Sequence, residues 1–124
     1  MKALKFFQLA LFLVALSSTS IAQTHDHDNM NMIMTSAKTD SFKVFGKCNM
    51  CKVRIEKTVK AEGATSASWD LKTQILTVTF NSAKTSKDAL SRKLASVGHD
   101  TDDYKAPDDV YANLPGCCHY ERSK

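Results

Sequence analysis

The order in which hydrophobic periods follow one another from residue 41 onward constrains this 124-residue chain more than any other feature. Phe42 and Val44 alternate with polar neighbours up to a break at Gly46, the two-residue period of a half-buried strand. Cys51, Ile55 and Val59 then recur at four-residue intervals, while Lys52, Arg54, Glu56, Lys57 and Lys60 cover the other side. That spacing predicts an amphipathic helix over 48–62, stopped by Gly63. Residues 64–69 and 74–80 read as two strands joined by a turn at Asp70-Leu71-Lys72-Thr73, and Leu76, Val78 and Phe80 give the second an apolar face. Ser86 opens a second predicted helix over 85–97, striped by Ala89, Leu90, Leu94 and Val97 and ended by Gly98. A polar last strand over 99–105 suits a sheet edge, and Pro107 closes the unit. Strand, helix, strand, strand, helix, strand is the split βαβ, or ferredoxin-like, order. The expected fold is therefore α+β, one antiparallel sheet with two helices on one face, spanning 41–107. Trp69, Phe42 and Phe80 belong to its core.

What precedes residue 41 reads differently. Lys2 and Lys5, an apolar run over 6–16 interrupted by Gln8, and Ser20-Ile21-Ala22 have the arrangement of a secretory signal over residues 1–22. The run falls short of the roughly 20 residues that span a bilayer, so the mature form is expected to begin at Gln23 without a membrane span. Cleavage removes two lysines and lowers the formal net charge of +4 by two. So mild a charge gives no reason to expect a nucleic-acid partner. Residues 23–40 read as a flexible arm in which His25, His27, Met30, Met32 and Met34 alternate with polar residues; imidazole and thioether together suit copper. An exported, periplasmic location places the four cysteines where disulfides form.

Those cysteines fall in two tight pairs, Cys48/Cys51 and Cys117/Cys118. Cys48-Asn49-Met50-Cys51 sits where a strand hands over to a helix. Two intervening residues let both sulfurs face one point, and the free N–H groups and positive end of the helix favour thiolates. Lys47 and Lys52 add charge of the same sign. A thiolate pair is a soft chelate that selects Cu(I), Hg(II), Zn(II) or Cd(II) over Mg(II) or Ca(II). The same spacing serves thiol-disulfide oxidoreductases, but the longer βαβ pattern and cis-proline of that fold are missing: the prolines, Pro107 and Pro115, both follow the last strand. No Ser/His/Asp set, paired carboxylates or phosphate-cradling glycine loop is present, so no enzyme activity is expected. The basic face of the first helix reads as solvated, or as a docking surface for an acidic partner.

The stretch GKCNMCKVRIEKTVKAEG, followed by SWDLKTQILTVTF and by a helix ending SVGHDT, resembles the heavy-metal-associated domain. That family includes copper chaperones, the amino-terminal modules of metal-pumping ATPases and the periplasmic mercury-binding protein. The resemblance implies a ferredoxin-like fold over 41–107, Cys48 and Cys51 as metal ligands, and Ile55 and Val59 as helix core positions. It further implies a soft ion as cargo, Cu(I) first and Hg(II) or Zn(II) after it, and a metal-transporting membrane protein or another metal-binding protein as partner. Two positions depart from the family pattern. Lys47 replaces the methionine of the loop while Met50 lies between the cysteines, and His99 stands where many copper chaperones carry an aromatic residue. His99 is thereby a candidate third ligand or a nearby proton acceptor.

Residues 108–124 form a tail beyond the domain. Pro115-Gly116 predicts a turn directly before Cys117, Cys118 and His119. Adjacent cysteines ordinarily point apart, so they chelate one ion poorly unless the chain turns sharply. Joined by His119, or by Cys48 and Cys51 if the tail folds back, they would complete a site of three or four ligands. Disulfide pairing, with the first pair or with another chain, and no role at all are the other readings. The chain thus reads as an exported soft-metal carrier, a metallochaperone or scavenger, with a mercury carrier and an oxidoreductase as alternatives.

Overall fold

The computed structural model describes residues 36–124. The proposed signal and residues 23–35 of the arm lie outside the described residues. Strand β1 (Ala37–Lys43) is followed by helix α1 (Asn49–Ala61), strands β2 (Ala64–Trp69) and β3 (Ile75–Asn81), and helix α2 (Lys87–Ser96). Helix α3 (Asp108–Ala112) and a 3-10 turn (Gly116–Cys118) belong to the tail. The sheet is antiparallel in the order β1-β3-β2, with Phe42 opposite Leu76 and Trp69 opposite Leu76 on the other side. This is the ferredoxin-like arrangement expected from the hydrophobic periods.

The alternation in β3 decides which face is inside. Leu76, Val78 and Phe80 are buried, while Thr77 and Thr79 face outward and bond across the strand pair to Ser41 (3.0 Å) and Thr39 (2.9 Å) through their hydroxyls. The apolar face meets Cys51, Ile55 and Val59 of α1 and Leu90 and Leu94 of α2 in one core. Ser86 accepts a hydrogen bond from the Ala89 N–H at 3.1 Å, so α2 begins at the cap that the sequence marks. Asp70 closes the β2–β3 turn by accepting from the N–H groups of Lys72 and Thr73.

Two boundaries differ from expectation. β1 starts at Ala37, so residues 37–40 of the expected arm are ladder residues, paired through Ala37 opposite Asn81. Polar side chains hid this, because an edge strand with one solvated face has little apolar pattern. The last expected strand shrinks to a single bridge, Thr101 opposite Val44, beside β1. Its cause is Asp100. The fully buried Asp100 carboxylate accepts from the Ala106 N–H at 2.7 Å and from Arg122, and Thr101 N–H bonds to the Tyr104 carbonyl at 2.8 Å. The segment therefore curls around its own aspartate instead of extending along β1.

Candidate metal centre

The loop between β1 and α1 is held from three directions. Gln74 donates its side-chain amide to the Gly46 carbonyl (2.6 Å), Phe45 N–H bonds to the Asp100 carbonyl (2.8 Å), and the Trp69 indole donates to the Val44 carbonyl (2.9 Å). Gly46 is where the loop runs closest to the core: a Cβ there would lie 2.9 Å from the Trp69 ring and 3.1 Å from Cys51 Cβ. The loop must pass this close for Cys48 to become the N-cap of α1 while Cys51, one turn later, points into the core.

Cys48 and Cys51 place their sulfurs 3.4 Å apart. The tail reaches the same point. Cys118 Sγ lies 3.4 Å from Cys48 Sγ and Cys117 Sγ lies 3.9 Å from it, with 4.0 Å between the two tail sulfurs. Cys48, Cys117 and Cys118 are mutually close enough to bind one ion. Met50 adds its thioether 3.5 Å from Cys117. Cys51 and Cys118 are fully buried, Cys48 is half-buried and Cys117 is exposed.

The thiols differ in acidity. Burial pushes Cys48 up, but the Cys51 backbone N–H and the neighbouring thiols together outweigh it and bring Cys48 down to about 7. Burial dominates for Cys51 and pushes it up to about 12. Hydrogen bonding to Cys48 raises Cys117. Cys48 is therefore favoured to ionise near neutral pH, whereas Cys51 and Cys117 are pushed the other way.

Among the described residues, the two histidines, His99 and His119, do not join the sulfurs. His99 is buried behind them, its Nδ1 2.9 Å from the Phe45 carbonyl and its Nε2 3.5 Å from Arg54 Nη1. Burial, reinforced by the Arg54 charge, pulls its pKa below the ordinary histidine value against the Phe45 contact. The Phe45 carbonyl requires Nδ1 to carry the proton, which turns the Nε2 lone pair toward Arg54. The same Arg54 nitrogen lies 3.5 Å from Cys118 Sγ. His99 thus orients a cation against the site. His119 is exposed and stacks on Tyr111 with ring centres 5.1 Å apart. Lys52 is drawn away as well, bonding to Glu56 and to the Trp69 carbonyl, both at 2.6 Å.

Residues without a spacing signal hold the tail in place. Tyr120 is 2% exposed; its hydroxyl donates to the Gly98 carbonyl (2.6 Å) and accepts from the Asp100 N–H (2.8 Å). Tyr111 donates to the Tyr120 carbonyl at 2.6 Å. Arg122 grips both oxygens of Asp100 at 2.9 Å, donates to the Ala106 carbonyl and lies over the Tyr111 ring. Leu114 packs over Gly98, where no Cβ intervenes. Sequence reasoning missed Arg54, Asp100, Tyr120 and Arg122. An arginine on a basic helix face and one near the end of the chain look like solvated charges until the fold pairs them.

The family model of the heavy-metal-associated domain matches residues 41–100, and over that segment the chain is a heavy-metal-associated domain. Among solved structures, the chain is similar to the CopZ metallochaperone at 23% identity, covering 52% of this chain and 98% of that one with a TM-score of 0.49. It is likewise similar to oxidized MerP from Ralstonia metallidurans CH34 at 30% identity, covering 52% and 93% with a TM-score of 0.49. A third is the N-terminal domain of a potential copper-translocating P-type ATPase from Bacillus subtilis in the Cu(I)-loaded state, at 27% identity, 52% and 84% coverage and a TM-score of 0.48. No curated protein matches the chain. The tail cysteines lie outside the matched segment.

Proposed function

We propose that the protein is an exported, periplasmic carrier of a soft metal ion, with Cu(I) as its cargo and Cys48 and Cys51 as its primary ligands. The observation that carries this reading is the 3.4 Å approach of the two sulfurs at the start of α1. One of them ionises near pH 7, on the loop of a heavy-metal-associated domain. A thiolate already formed at neutral pH captures a soft cation without first losing a proton, and Cys51 releases its proton to solvent as the ion arrives. The chemistry is binding and exchange, with no bond of a substrate made or broken, so the protein is read as a non-enzyme. Transfer goes by ligand exchange to a metal-transporting membrane protein or another metal-binding protein: a partner sulfur enters the coordination sphere before the first ligands leave. The basis for export is residues 1–22 of the sequence.

Anaerobic titration of the reduced protein with Cu(I) and, in parallel, Hg(II) tests the reading. Stoichiometric binding of Cu(I) that is lost in the Cys48→Ser/Cys51→Ser variant is expected. Equal tight binding by both proteins would refute the ligand assignment, and a clear preference for Hg(II) would make the protein a mercury carrier instead.

A further inference from the structure

We infer that the C-terminal tail is part of the ion site: Cys117 and Cys118 bind the ion together with the Cys48/Cys51 pair, so that at least three sulfurs surround it. The inference rests on the carrier reading and adds to it the number and source of the ligands. Sulfur spacing carries the argument. With metal–sulfur bonds of about 2.3 Å, two thiolates on opposite sides of an ion stand about 4.6 Å apart, three around it about 4.0 Å, and four at tetrahedral corners about 3.8 Å. Cys117 stands 3.9 Å from Cys48 and 4.0 Å from Cys118, the spacing of a three- or four-sulfur shell, while Cys48 and Cys118, at 3.4 Å, need to part by about 0.4–0.6 Å to take an ion between them.

Adjacent cysteines reach one point only if the backbone bends between them. Here the 3-10 turn does it: the Cys118 N–H bonds to the Pro115 carbonyl at 2.7 Å, and both side chains come round to Cys48. The tail is also fastened on the far side of the turn, by Tyr120 under Gly98 and by Arg122 on the buried Asp100. A tail held at that point offers its sulfurs preorganised, at a high effective concentration. Charge is balanced in the same place. Each thiol that binds loses its proton to solvent, three thiolates around one Cu(I) leave excess negative charge, and Arg54 stands 3.5 Å from Cys118 to offset it.

The shell has an inside and an outside. Cys51 and Cys118 are fully buried, whereas Cys117 is exposed and touches Met50, which is 51% exposed. Cys117 is the ligand that a partner sulfur displaces first, and Met50 is the thioether on the path.

The test loads the reduced full chain with Cu(I) alone under anaerobic conditions. It compares the wild type with Cys117→Ser, Cys117→Ser/Cys118→Ser and Cys48→Ser/Cys51→Ser. X-ray absorption counts sulfurs per copper, and competition with a Cu(I) chelator gives relative affinity. Three or more sulfurs in the wild type, falling in the tail variants, with affinity lower by about 100-fold in the double tail variant, is the expected result. The single Cys117→Ser change alters only an exposed side chain, so a loss of one sulfur there cannot be attributed to misfolding. Two sulfurs in the wild type, with affinity unchanged in both tail variants and lost in Cys48→Ser/Cys51→Ser, overturns the tail assignment while the carrier reading stands. Undiminished binding in Cys48→Ser/Cys51→Ser overturns the carrier reading itself.

Discussion

Replacing Arg122 by alanine isolates the clamp that holds the tail. In the native fold its guanidinium makes two 2.9 Å bonds to an Asp100 carboxylate with no solvent exposure, and donates a further bond to the Ala106 carbonyl. Removing one partner of a buried ion pair typically costs about 3–5 kcal/mol. Here the cost is lower, because the Arg122 side chain is 21% exposed and Asp100 keeps donors at Ala106 N–H, Ser123 N–H and Ser123 Oγ. We take about 2–3 kcal/mol. The chain escapes that penalty by opening the tail, which lets water reach Asp100, so the change appears as local opening and leaves the rest of the fold in place. By the rule of tenfold per 1.4 kcal/mol, the open population rises about 30- to 140-fold. Two probes read it in the metal-free, reduced protein. Cys118, fully buried when the tail is closed, should be alkylated faster by that factor. The Asp100 amide, which donates to the Tyr120 hydroxyl, should exchange its hydrogen faster to the same extent. Less than a threefold change in both would refute the assignment of Arg122 as the clamp.

Acid should open the same latch. Burial would raise the Asp100 pKa, but hydrogen bonds from Arg122, Ala106 and Ser123 and the Arg122 charge hold it below the ordinary aspartate value. A depressed carboxylate stabilises the closed form above its unfolded pKa and loses that contribution as pH falls through the folded one, so Cys118 protection should fail only below about pH 4; failure at pH 6 would contradict this. Cys48 should be the first thiol to react with iodoacetamide in the metal-free protein, its rate rising with pH to a midpoint of about 7, while Cys51, pushed up to about 12, lags behind; equal reactivity of the two would contradict the assigned acidities. Gly46→Ala inserts a methyl group 2.9 Å from the Trp69 ring and should cost about 1–3 kcal/mol in urea denaturation. An unchanged midpoint would show that the loop is not pinned there.

The legible part of the protein is the part built on periodic burial. Phe42, Ile55, Val59, Leu76, Val78, Phe80, Leu90 and Leu94 announce their faces by spacing, and all are buried. The Cys48/Cys51 loop is legible because its chemistry needs neighbours in sequence. Two kinds of information were not. The polar ladder at residues 37–40 carries no apolar signal, since its residues pair through backbone groups and exposed hydroxyls. The tail depends on pairs far apart in the chain, Asp100 with Arg122, Tyr120 with Gly98, Arg54 with Cys118, and each partner alone reads as an ordinary surface residue. Asp100 had the further effect of unmaking an expected strand: a carboxylate that needs several donors bends the backbone to reach them, and local strand propensity is too weak to resist.

Under the proposed carrier reading, the separation of the clamp from the sulfurs bears on how the ion is released. A two-sulfur site exchanges readily because an incoming sulfur has room to enter. Added tail sulfurs fill that room and favour retention. If the tail were held only by the ion, release would require breaking metal–sulfur bonds one after another with nothing to set the order. In this fold the tail is also held by Asp100, Tyr120 and Leu114, through bonds and packing that do not run through the sulfurs. Retention is then set by two contributions that vary independently: the sulfurs at the N-terminus of α1, and the free energy of the clamp behind them. On that reading, loosening the Arg122 clamp weakens the second without touching the first, and Cys117, exposed beside Met50, is the first sulfur free to leave.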